Sequence, residues 1–145
     1  MSFVTELPPV VVDASVSVAL LAEERADVER HWSGWSQDGR MLLAPAMHWS
    51  EVGNILLKRK RMTPAQGAVL MGGLQRAGLE IADRGLPGVC FALELAARHR
   101  LSVYDATYLW LAIDIDGELA TLDADLARAA EAEGVALALP LREPS

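Results

Sequence analysis

The sequence predicts an α/β fold, a three-layer sandwich with a central parallel sheet flanked by helices. Two observations carry this prediction. Short apolar runs at residues 10–12, 41–44, 79–82, 118–122 and 135–139 alternate with longer segments of helical spacing. The first of these runs, VVV, is apolar on both faces, as a strand in the middle of a parallel sheet must be.

The elements follow in order. Strand 10–12 is closed by Asp13, and helix 15–24 carries Val16, Ala19, Leu20 and Ala22 at helical spacing. A weaker helix over 27–35 leads to strand 41–44, closed by Pro45. Helix 46–61 has the stripe Trp49, Val52 and Leu56. Thr63 and Pro64 then read as cap and first turn of a helix running to Ala77. Its interior glycines Gly67, Gly72 and Gly73 each cost about 1 kcal/mol relative to Ala. Strand 79–82 precedes helix 87–99, with Val89, Phe91, Leu95 and Ala96 as candidate buried positions. Helix 104–113 is apolar almost all round and is expected to be buried. Strand 118–122, helix 124–133 ended by Gly134, and strand 135–139 complete the chain.

Length and composition bound the function. At 145 residues, 52% hydrophobic and 23% charged, the chain is expected to fold as one domain over 1–145. No run approaches the roughly 18 apolar residues of a membrane span, and the start MSFVTELPPV has no basic segment followed by a long apolar core. Cys90 is the only cysteine, so no internal disulfide can form; set in an apolar pattern, it reads as a small buried hydrophobe. A reducing, cytoplasmic setting is expected. The net charge of −7 argues against a broad basic surface gripping nucleic acid. The local exception is Lys58, Arg59, Lys60 and Arg61, at the end of a predicted helix where they also suit the helix dipole.

Open parallel sheets gather ligands outside the carboxyl ends of their strands, near the point where strand order reverses. Asp13 directly follows VVV and Asp123 directly follows ELATL, so both are expected on one rim. Each also reads as a helix N-cap, before Ala14-Ser15 and Ala124-Asp125 respectively. Asp105 has the capping-box spacing Ser102-Val103-Tyr104-Asp105, but it opens a helix apolar almost all round. An ionised carboxylate there is costly unless a cation or several donors meet it. Glu51 shares a helical face with Asn54 and Lys58, opposite the apolar stripe. That face is solvated unless the helix overhangs the same rim as Asp13.

Converging carboxylates repel and cannot all stay ionised without positive charge nearby. A hard divalent cation, Mg²⁺ or Mn²⁺ with several retained waters, suits an acid cluster lacking His and Cys. It would lower the pKa of a water for attack on a phosphodiester and offset charge developing on the phosphorus oxygens. These residue types predict metal-assisted phosphodiester hydrolysis.

Taken together, VVVDASV around Asp13, LLAPAMHWSEVGNILLKRKRM around Glu51, LSVYDATYLWLA around Asp105 and ELATLDADLARAA around Asp123 resemble the PIN domain, specifically the VapC-like toxins of bacterial toxin–antitoxin pairs. The resemblance spans nearly the whole chain. It implies a Mg²⁺- or Mn²⁺-dependent endoribonuclease, a homodimer and inhibition by a cognate antitoxin. It also implies Asp13, Glu51 and Asp105 as central acids and Asp123 as a fourth, more variable one. Ser15 and Thr121 fall where the family has a hydroxyl that orients a carboxylate or touches phosphate, and Asn54 falls at a polar position after the Glu. Segment 26–40, with Trp32 and Trp35, and helix 64–77 carry no family signature and are expected to set dimer or antitoxin contacts.

Other readings compete. Asp114-Ile115-Asp116-Gly117 resembles the centre of a calcium loop, but the first ligand position would fall on Ala112 and the twelfth on Asp123. These acids read better as a helix exit and turn. An aspartyl-phosphate phosphatase would want a second acid where Ser15 stands. A receiver domain would want an acid pair near Asp13 and a late Lys, and no Lys follows Lys60. A PIN-like binding module without catalysis would be marked by loss of a central acid, and none is missing. An RNA substrate is compatible with the acidic chain if bound metal, the basic run 58–61 and Arg98, His99 and Arg100 steer phosphate locally. His48 and His99 read as solvent-facing helix residues.

Overall fold

Four short strands form one parallel sheet in the computed structural model, which describes residues 6–140. The two ends of the expected unit 1–145, including MSFVT, lie outside the described residues. The strands are β1 (Val10–Val12), β2 (Leu42–Ala44), β3 (Leu79–Ile81) and β4 (Glu118–Ala120), in the order β3-β2-β1-β4. Val11 lies between Leu43 on one side and Leu119 on the other, so β1 is central and its three valines are fully buried. Among the described residues the helices are α1 (Ala14–Leu21), α2 (Ala26–Gln37), α3 (His48–Lys58), α4 (Pro64–Arg76), α5 (Gly85–His99), α6 (Val103–Asp114) and α7 (Ala124–Ala132).

The connections explain the layers. From β1 to β2 to β3 the chain steps one way across the sheet, and from β3 it returns past β1 to β4. Right-handed crossovers then put α1–α4 on one face and α5 and α6 on the other. The packing agrees, with α3 against both α1 and α4, and α5 against α6. The reversal falls between β1 and β4, so the crevice at their carboxyl ends is the switch point of the sheet.

One apolar core surrounds the sheet and takes in Trp32, Trp35, Tyr108, Leu109 and Leu126. A smaller cluster of Ala14, Val18, Val52 and Leu56 locks α1 to α3. That second contact fixes the helix that carries Glu51 relative to the end of β1.

Element ends differ from the sequence expectation by a few residues, and four larger differences have physical reasons. Run 135–139 is not a strand: it makes one parallel bridge, Leu119 to Leu137. Val135 and Leu139 instead turn into the core, which uses the apolar run as packing. Cys90 is exposed, as are Val89 and Phe91. On α5 it is Gly88, Ala92, Leu95 and Ala96 that face the core, and Phe91 lies flat on Trp110 with ring centroids 5.3 Å apart. His48 is fully buried rather than solvent-facing, because α3 enters the core at its first turn. His99 is only partly exposed and bonds Glu133 at 2.6 Å.

Candidate active site

The loops leaving β1 and β4 are stitched together around one carboxylate. Asp13 is 4% exposed, and its N–H donates to Ala120 O at 3.1 Å. Its Oδ1 accepts from Val16 N–H at 3.2 Å and from the Ser15 hydroxyl at 2.5 Å, while its Oδ2 accepts from the Thr121 hydroxyl. Both hydroxyls also accept. Leu122 N–H donates to Ser15 Oγ and Asp123 N–H to Thr121 Oγ1, each at 3.0 Å. Asp13 is therefore both the N-cap of α1 and a buried carboxylate whose two oxygens are individually held.

The other acids arrive from separate elements. Asp123 is exposed and caps α7 by accepting from Leu126 N–H at 3.0 Å. Asp105 stands in the first turn of α6, where Ser102 provides the cap by accepting Asp105 N–H at 3.1 Å. Glu51, in the first turn of α3, is half-buried. All four line one cleft of about 380 Å³, together with Ser15, Glu24, Arg59 and Lys60. Asn54 is exposed and is not among the lining residues.

The electrostatics reflect this convergence. Burial pushes Asp13 up to about 6, against the pull of its three donors, with a further push from Asp105. Burial also raises Glu51, to about 7, helped by the charges of Asp105 and Asp13. Asp105 is raised by burial and by Asp123. Lys60, one of the two cations lining the cleft, is bonded to Glu24. The cleft is short of positive charge.

Three polar residues lie behind the cleft: Ser17 and Tyr108 escaped the sequence reading, and His48 was read as solvent-facing. The Tyr108 hydroxyl donates to Glu51 Oε1 at 3.2 Å and lies 2.9 Å from His48 Nδ1, while His48 Nε2 lies 2.8 Å from Ser17 Oγ. Tyr108 stands three residues after Asp105, and His48 three before Glu51. That spacing puts each on the helical face of its acid and was the available signal.

A parallel sheet whose switch point gathers acids from four elements defines the class. The PIN domain family model matches residues 10–132, and the chain belongs to that family. No curated protein matches it. Solved structures share the fold. PAE2754 from Pyrobaculum aerophilum aligns with TM-score 0.63 at 23% identity, covering 86% of either chain. VapC20 of Mycobacterium tuberculosis, a sarcin-ricin loop cleaving toxin, gives 0.66 at 17%, over 83% of this chain and 94% of its own. VapBC2 from Rickettsia felis, bound to a DNA fragment from its promoter, gives 0.70 at 13%, over 88% and 96%. No helix among the described residues is long and apolar enough to cross a membrane.

Proposed function

We propose that the protein is a metal-dependent endoribonuclease, a cytoplasmic toxin of a toxin–antitoxin pair that works as a homodimer and is held in check by its cognate antitoxin. The observation that carries the reading is the shared cleft of Asp13, Glu51, Asp105 and Asp123, with the ionisation of Asp13 and Glu51 pushed up toward neutral pH by burial and neighbouring carboxylates. Family membership and the VapC neighbours support the biological role.

The lining suits Mg²⁺ or Mn²⁺. Its donors are oxygens, with no His or Cys among them. Among the described residues no three His, Cys, Asp or Glu side chains form a ready-made cage. A cation held in this cleft would therefore have to keep several waters and take one or two carboxylates directly. When bound, such an ion supplies charge neutralisation and a water of lowered pKa for attack on a phosphodiester.

The chain's own residues prepare that step. Ser15 and Thr121 fix the two oxygens of Asp13, and Tyr108 holds Glu51. Asp105 and Asp123 extend the negative rim, where a bound cation is held directly or through water. Asn54 is left with a supporting role at most, on the solvent side of α3.

The test is RNA cleavage by the purified protein. Activity with Mg²⁺ or Mn²⁺, stopped by chelator and lost in Asp13→Asn with its fold intact, is expected. Metal-independent cleavage, or full activity in that variant, contradicts the mechanism. Growth arrest on induced expression, relieved by a small neighbouring protein, separates a toxin from a housekeeping nuclease.

A further inference from the structure

Ser17, His48 and Tyr108 are each fully buried, and they connect α1, α3 and α6 in one polar chain ending on Glu51. Core packing alone does not explain them. Buried polar groups return little net stability even when fully bonded, and apolar residues of the same shape would serve the core about as well. What the chain does provide is direction.

The Tyr108 hydroxyl spends its single proton on Glu51 Oε1. The oxygen of Tyr108 is then left to accept, which requires a proton on His48 Nδ1. Burial holds His48 down at about 4, so the ring is neutral and carries one proton. Nε2 is therefore bare and accepts from the Ser17 hydroxyl. Every donor in the chain has one place to point.

We propose that His48 is a positioning residue for the acid cleft: as the Nδ1–H tautomer, fixed by Ser17, it turns the Tyr108 hydroxyl onto Glu51 Oε1 and so orients that carboxylate. This rests on the hydrolytic reading of the cleft. Without His48 the Tyr108 hydroxyl can rotate, and Glu51 loses its one oriented donor.

Nitrogen-15 NMR of the full-length protein, labelled at histidine, free of metal and RNA and held at a pH above the Glu51 titration, reads the tautomer. A neutral ring protonated at Nδ1, no longer locked in Tyr108→Phe, is expected; protonation at Nε2 overturns the proposal. Kinetics separate orientation from packing. His48→Leu should lower kcat about tenfold with KM unchanged. His48→Asn, whose amide places a donor where Nδ1–H stands, should recover most of that loss. Wild-type kcat in a folded His48→Leu, or His48→Asn no better than His48→Leu, overturns the proposal. The nearly isosteric Tyr108→Phe gives the same kcat test where His48→Leu does not fold. Absence of metal-dependent cleavage by the wild type overturns the hydrolytic reading, whereas an Nε2-protonated ring overturns only the relay.

Discussion

At the scale of single residues, Asp13 combines two roles that pull stability in opposite directions. As the N-cap of α1 it contributes about 1 kcal/mol, and Asn caps equally well. As a buried carboxylate it carries a desolvation cost that Asn does not. Asp13→Asn should therefore abolish cleavage yet stabilise the metal-free protein by roughly 1–2 kcal/mol at neutral pH, measured by denaturant unfolding. A loss of stability would mean that the hydrogen bonds the carboxylate accepts from Ser15 and Thr121 outweigh its desolvation cost. The pH dependence has a definite sign. Asp13 and Glu51 ionise at about 6 and about 7 in the folded protein, against 3.8 and 4.5 ordinarily. The folded state thus holds more protons across that window, and their contribution to stability is lost as pH rises through it. Metal-free protein should melt higher at about pH 5.5 than at about pH 7.5, and Asp13→Asn should reduce the difference. His48 works oppositely in the same window, since burial holds it at about 4 against 6.5 ordinarily, and it offsets part of the difference. Glu133 also works oppositely, but its pKa lies below the usual range, so its loss comes at lower pH. Strand-end acids were legible from sequence because position alone selects them. His48 was not, because its burial depends on Tyr108 and Ser17, which are remote in sequence.

At the scale of elements, the helices were legible to within a few residues, and the misreadings concern which face they bury. Helix α5 has apolar residues on more than one side, and only tertiary packing chose the face with Gly88 and Ala92 over the one with Val89 and Phe91. On α3 the face that reads as solvated from sequence divides: Glu51 turns into the cleft while Asn54 stays outside. The failed final strand has the same origin, since an apolar run can serve a ladder or a core and here serves the core. Gly117, at the entry to β4, was read only as a turn. A Cβ there would stand 2.8 Å from the Pro9 carbonyl oxygen, which accepts Glu118 N–H at 2.9 Å. Gly117→Ala should push β4 from the start of β1 and cost about 1–3 kcal/mol, read as a lowered unfolding midpoint in urea. Because this strain enters at the opposite end of β4 from Asp123, metal affinity of the folded variant should change little.

At the scale of the whole molecule, the topology assembles the chemistry. Asp13 and Asp123 follow neighbouring strands on either side of the switch point, while α3 and α6 bring Glu51 and Asp105 to the same cleft. A chain of net charge −7 with five acids lining one cleft approaches RNA only if that local charge is offset. A cation in the cleft and the basic residues Arg59 and Lys60 on its lining can do so. The account therefore turns on cation binding, which can be measured without knowing the RNA. Calorimetric titration of Mn²⁺ into metal-free protein near neutral pH should give saturable binding that releases protons, because Asp13 and Glu51 are partly protonated there, and this binding should be lost in Asp13→Asn. Absence of saturable binding by the wild type, or undiminished binding by Asp13→Asn, would contradict the account.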